Sequence, residues 1–160
     1  MRAIAADAGV DAALITHFFG SKANLLGLAI DWPFDPAREV PRLLRGGPDG
    51  VGERLVALFV RTWDSEGSRH PVITLLRAAV AEPNAAELLA NFMRVRLFGP
   101  LLAELGSDKP EIRMNLVAAQ LGGLGLARYI LGFEPLASAS PRDVIRWIAP
   151  SVQRYLTEPL

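Results

Sequence analysis

Apolar residues recur along this chain at three- and four-residue spacing, with polar residues between them. That period puts the apolar side chains on one face of an α-helix. No stretch alternates apolar and polar positions with β-branched residues, so no sheet is predicted. Glycine and proline divide the pattern into elements. Arg2 to Ala8 reads as a short helix stopped by Gly9, and Asp11 as the N-cap of a second one closing at Phe19-Gly20. Ser21 caps a helix running to about Asp31, which ends at the Trp32-Pro33 step. A short helix from Pro36 to Leu44 follows, among prolines and glycines.

The second half predicts longer helices. Leu55, Leu58, Phe59 and Thr62 share a face at i, i+3, i+4 and i+7. Pro71 opens a helix through Ala81. Pro83 and Asn84 start one to about Leu105, with Leu88, Phe92, Val95 and Leu89, Met93, Leu97 as adjacent stripes. Gly106-Ser107-Asp108 breaks it, and Pro110 opens another to about Leu131. The last helix, Pro141 to Leu156, aligns Val144, Ile145, Ile148, Val152 and Leu156. The expected fold class is all-α: short helices in front, then a helical bundle.

Composition narrows the function classes. The 160 residues are 51% hydrophobic, enough to bury a core without cross-links. Cysteine is absent and there are two histidines, His17 and His70, which excludes thiolate metal sites and an HExxH zinc site. No cofactor is implied. Seventeen Lys and Arg balance seventeen Asp and Glu, so any nucleic-acid surface must be local. No apolar run reaches the ~20 residues of a membrane span, and no leader pattern opens the chain, so a cytoplasmic protein is expected. Asp64 to His70 gathers hydroxyls, carboxylates and a histidine in one loop. A catalytic set needs a base oriented on a rigid frame, so a solvated loop is the expected reading, and no enzymatic activity is expected.

The most informative stretch is Ile4 to Lys22, IAADAGVDAALITHFFGSK. Small Ala5 and Ala8 permit a close helix crossing, Gly9 gives the turn its backbone freedom, and Val10 pins the pair. That spacing fits a helix-turn-helix whose second helix enters a major groove, and fits an ordinary helical hairpin as well. The wording of the segment goes further. Arg2-Ala3-Ile4-Ala5, Ala8-Gly9-Val10, His17-Phe18-Phe19-Gly20-Ser21-Lys22 and Leu25 make residues 2–28 resemble the DNA-binding domain of TetR/AcrR-family transcriptional regulators.

The resemblance implies a division at residues 1–31, a DNA-binding head with its linking helix, and 32–160, a ligand-binding and dimerisation domain. It implies double-stranded operator DNA as partner, with Ala12, Ala13 and Thr16 facing the groove and His17, Phe18 and Lys22 near the phosphates. Threonine can hydrogen-bond a base edge or phosphate, and alanine can meet a thymine methyl. Leu14, Ile15 and Phe19 are expected in the core. The family begins with a further helix, which this sequence lacks, so the head is expected to be truncated or the recorded start to lie downstream of the true one. Ile4, Ala8, Leu14 and Phe18 are then expected to have an open side. Residues 1–31 carry net charge −1, with Arg2 and Lys22 against three aspartates. Weak DNA binding is expected, because duplex affinity rests on cation–phosphate contacts.

Family regulators hold a small-molecule effector in the bundle. Phe59, Thr62, Trp63, Phe92, Met93, Met114 and Asn115 are the candidate pocket residues, with Thr74, Asn91 and Gln120 as further polar candidates and Trp63 exposed as the alternative. Arg61, Arg77, Arg94 and Arg96 would favour an anionic effector if they faced a cavity, and are otherwise solvated. Gly122, Gly123, Leu124, Trp147, Ile148, Ser151 and Tyr155 are candidates for a homodimer interface built from two helices per subunit. The expected function is a ligand-responsive repressor released from its operator by an effector. The alternative is a truncated regulator that dimerises and binds ligand but does not bind operator alone.

Overall fold

The computed structural model describes residues 2–19, 34–65, 81 and 83–160. The helices expected over 21–31 and 71–81 fall almost entirely outside the described residues. Every regular element among the described residues is helical.

The head is α1, Arg2–Ala8, and α2, Ala12–Phe19. Gly9 turns the chain at φ 66°, a left-handed conformation that costs glycine least. The Asp11 carboxylate accepts from Ala13 N at 2.8 Å and caps α2. Ala5 and Ile15 are buried between the two helices. Leu14 departs from the expectation of a core residue: it is 49% exposed, beside Val10 at 45% and Phe18 at 72%. Ile15 takes the inward position on α2, and Leu14 and Phe18, one turn apart, share the open face.

The bundle begins with α3, Pro36–Leu43, capped by Asp35, and α4, Val51–Asp64. Arg54 organises the loop between them. Its guanidinium donates to Leu43 O at 2.5 Å, Gly47 O at 2.6 Å and Asp49 O at 2.9 Å, supplying donors to carbonyls that the end of α3 and the loop leave open.

α5, Pro83–Phe92, continues through a π-helical segment, Met93–Phe98, into α6, Gly99–Glu104. The sequence pattern predicts one unbroken α-helix here. Pro100 is the reason for the difference. It has no N–H for the α-helical ladder, and its ring clashes with the preceding turn. Widening by one residue ahead of it keeps the chain helical, with Gly99 N–H donating to Arg94 O. A Cβ at residue 99 would strike that same carbonyl, so the glycine belongs to the device.

α7, Pro110–Gly125, likewise ends in a π-helical segment, Leu126–Ile130, and stops at Gly132 with φ 65°. α8, Pro141–Thr157, opens with a reciprocal cap. Ser140 Oγ accepts from Asp143 N and donates to Asp143 Oδ2. Val144, Val152 and Leu156 of α8 meet Val51, Leu55 and Val56 of α4 in the core, with Phe98, Leu101 and Val117 from the neighbouring helices.

α4 has no side-chain cap of its own, because Gly50 holds that position. The cap comes from α8. Gln153 Oε1 accepts from Gly52 N at 2.7 Å, and its Nε2 donates to Pro48 O at 3.0 Å. The helices approach so closely that a Cβ on residue 52 would lie 2.5 Å from Gln153 N and 2.7 Å from its Cα. A second clamp holds the same C-terminal part of α8. Buried Arg113 donates to Tyr155 O at 2.7 Å and to Asp108 O at 2.6 Å, and grips the Asp108 carboxylate. That bond holds the Asp108 carboxyl below its ordinary range.

Gly52→Ala therefore tests the crossing. Only backbone movement relieves the clash, and such overpacking costs about 1–3 kcal/mol. At this chain length that lowers Tm by roughly 2–4 °C per kcal/mol. Gly122→Ala, where a Cβ meets nothing within 4 Å, is the control that leaves Tm unchanged or higher. An unchanged Tm for Gly52→Ala would show that the crossing does not constrain the fold.

Candidate effector cavity and recognition helix

Three inward faces leave a gap. Leu55, Leu58, Phe59, Thr62 and Trp63 of α4 face Met93 and Leu97 of the first π-helical segment and Met114, Ala118 and Leu121 of α7. Phe34 and Ala86, Leu89 and Ala90 of α5 complete the described wall. The space is about 320 Å³, at the small end of the ~300–1,000 Å³ typical of ligand sites. Six of the seven pocket candidates line it: Phe59, Thr62, Trp63, Met93, Met114 and Asn115. Phe92 is buried and is not part of the lining. Leu89, Met93 and Leu97, one of the two apolar stripes of the sequence pattern, all line the gap.

The remaining polar candidates separate. Thr62 is buried, and its hydroxyl has no hydrogen bond to a described residue. Asn115 stands at the rim, on the exposed side of α7. Asn91 accepts from Arg94 at 2.7 Å, away from the cavity. Gln120 is half-buried outside the lining, and Thr74 and Arg77 lie outside the described residues. Arg61 is turned to the surface, where it pairs with Glu39 at 3.4 Å, and Arg96 is also exposed.

Trp63 is 6% exposed, so the surface alternative does not hold. It stacks on Tyr129 at 5.1 Å and 29°, and Phe59 is tilted against both rings, 5.1 Å from Trp63 and 6.5 Å from Tyr129. Gly125 makes room for both, since a Cβ there would lie 3.1 Å from the Trp63 ring and 3.3 Å from Phe59. The Tyr129 hydroxyl donates to Asp64 Oδ1 at 2.9 Å. Buried Arg128 approaches the same carboxylate at 3.8 Å and donates to Leu136 O at 2.5 Å. Asp64 thus holds the cavity's aromatic wall to α7, which is a structural role for a residue of the polar loop.

On α2, Ala13, Thr16, His17 and Phe18 are exposed and Ala12 is half-buried. Thr16 Oγ1 donates to Ala12 O at 3.0 Å. Lys22 lies outside the described residues. The seven interface candidates do not form one surface. Leu124 is 4% exposed, on the inward face it shares with Val117 and Leu121, and is already covered by its own protomer. Gly122 lines the cavity, whereas Gly123 lies on the open side of α7. Trp147 is 51% exposed, and Ile148, Ser151 and Tyr155 are half-buried.

Burial and the bond to Asp64 push the Tyr129 phenol up from 10.0 to about 12. A raised pKa means the un-ionised phenol favours the folded state. Its contribution is intact below pH 10 and lost as pH climbs to about 12. The phenolate absorbance of the parent minus that of Tyr129→Phe should show a midpoint near 12. Thermal stability should fall more steeply above pH 10 in the parent than in the variant. A midpoint near 10 would show that the Trp63–Tyr129–Asp64 stack does not hold in solution.

Comparison with known proteins agrees with the helix order and with the head. The family model described as "Tetracyclin repressor-like, C-terminal domain" matches residues 49–156. No curated protein matches the chain. Among solved structures, a TetR-family regulator from Streptomyces coelicolor A3 is 33% identical, with a TM-score of 0.59. The alignment covers 96% of this chain and 80% of that one. No helix among the described residues is long and apolar enough to cross a membrane. An all-α chain with a helix-turn-helix head, matched over 108 bundle residues by the repressor-like model and over nearly its whole length by a solved regulator, belongs to the TetR family: it is a transcriptional regulator, not an enzyme.

Proposed function

We propose that this regulator is a homodimeric cytoplasmic repressor that a small-molecule effector releases from its operator. The observation that carries the effector half is the apolar cavity between α4, the first π-helical segment and α7. A ligand that fits one conformer better than another shifts the population toward it by the difference in affinity. Here the favoured conformer is one whose recognition helices no longer match two major-groove segments a helical turn apart.

The DNA half rests on α2. Thr16 has given its proton to Ala12 O, so at a base edge it acts as an acceptor, for adenine N6 or cytosine N4. Ala12 and Ala13 pack on thymine methyls or the sugar wall. His17 and Lys22 meet phosphates, and Phe18 supplies contact without the hydroxyl that a tyrosine would bring. The dimer half rests on exposed residues of α7, the π-helical segment after it and α8: Ile112 is 48%, Leu126 44% and Trp147 51% exposed, and Gly123 is exposed too. Exposed apolar side chains on one helix pair suit burial against a second copy.

Duplexes selected from a random pool by the regulator provide the operator for testing. Thr16→Ala should change which duplex is preferred. Lys22→Ala should weaken all duplexes alike and lower the salt slope by about one. Loss of preference in Lys22→Ala alone would reverse these assignments. Trp147→Glu should sediment as a monomer, and Gly123→Ala should weaken the dimer. An unchanged dimer in both would place the interface elsewhere.

A further inference from the structure

The effector's chemistry can be read from the cavity wall, on the reading that the cavity is the effector site. No Asp, Glu, Lys, Arg or His stands among its described lining residues. An ion entering it would lose its water and gain no counter-charge from the described wall, so it would bind poorly there. Among the described residues, Arg42, Arg54 and Arg61 line an outer cleft that shares only Phe34, Leu58 and Thr62 with the cavity. They are already engaged there. Glu39 takes Arg42 at 2.5 Å and Arg61 at 3.4 Å, and Arg54 is spent on three carbonyls.

The wall is aromatic and sulfurous. Phe59 and Trp63 present ring surface, and Met93 and Met114 present thioethers, which make favourable contacts with aromatic rings. Among its described lining residues Thr62 is the buried polar side chain, and Asn115 adds a polar group at the rim. A volume of about 320 Å³ accommodates two aromatic rings with a substituent.

We propose that the effector is an uncharged two-ring aromatic molecule carrying one hydrogen-bonding group, which meets the Thr62 hydroxyl while the rings lie against Phe59, Trp63, Met93 and Met114. The class follows from the described wall: rings for the sulfur and aromatic surface, neutrality for the absence of a charged side chain among its described residues, and one polar group for the buried Thr62 hydroxyl.

Calorimetric titration of the full chain with three probes tests this. 4-Phenylphenol has the proposed chemistry, biphenyl lacks the hydroxyl, and biphenyl-4-carboxylate is ionised at neutral pH. The expected order is 4-phenylphenol, then biphenyl, with the carboxylate weakest by roughly a hundredfold. Thr62→Val keeps the shape and removes the hydroxyl, so it should reduce the preference for 4-phenylphenol over biphenyl roughly fivefold. Ala118→Phe and Ala90→Leu each fill the cavity and should abolish binding of every probe, with melting curves to show that the variants fold. Carboxylate binding as tight as the phenol, and weakened by Arg61→Ala, would overturn the neutral class and leave the effector site standing. Binding that survives in both filled variants, or no binding of any probe, would overturn the effector site itself. An unchanged preference in Thr62→Val would remove Thr62 from recognition.

Discussion

The bundle depends on one crossing, where α8 supplies the cap that α4 lacks. A helix start leaves four N–H groups without partners, and Gly50 has no side chain to answer them. Gln153, 101 residues away in sequence, answers one of them at Gly52 N and ties down the preceding loop through Pro48 O. The bond requires the backbones to touch, and only glycine at residue 52 allows that. Apolar burial brings Val144, Val152 and Leu156 against Val51, Leu55 and Val56, but burial is non-directional. The amide-to-backbone bond fixes the register in which the two helices meet.

That register determines what the other face of α4 can do. With Leu55 and Val56 committed to the core, Phe59, Thr62 and Trp63 are aimed at α5 and α7. The wall they meet is not regular helix. Gly99 and Pro100 widen the chain at residues 93–98, and Trp63 is held from behind by Tyr129 at the second widened turn. Both departures from α-helical geometry therefore border the same aromatic cluster, directly or through one ring. Such insertions sit often at functional sites; here the first contains Met93 and Leu97 of the cavity wall and the second contains Tyr129, which stacks on Trp63.

Local chemistry made much of this legible in the sequence. Gly9, Gly106, Pro36, Pro110 and Pro141 punctuate helices because each acts within one turn of itself. The head's wording identified its family for the same reason, since a recognition motif is a run of adjacent residues. Phe59, Thr62 and Trp63 could be grouped by spacing. What spacing could not give was long-range or register-dependent. Nothing near Gly52 announces Gln153. Beside Asp64 an exposed Trp63 stays open as the alternative to a pocket residue, because its partners Tyr129 and Gly125 lie sixty residues on. Leu124 was read as interface beside Gly122 and Gly123, although three consecutive helical residues cannot share a face, and only Gly123 of the three lies on the open one. The Gly99-Pro100 pair was a readable signal of the first widened turn, and the apolar stripes on either side concealed it.

The account makes the α4–α8 crossing the most firmly held part of the molecule and the short head helices the least, since helices under ~12–15 residues gain little without packing and Val10, Leu14 and Phe18 stand open. Native-state hydrogen exchange measures this amide by amide. The account predicts that amides of residues 55–62 and 145–156 exchange only through global unfolding, and that those of residues 3–19 exchange orders of magnitude faster. Equal protection of head and crossing, or faster exchange at the crossing than in α5, would contradict it.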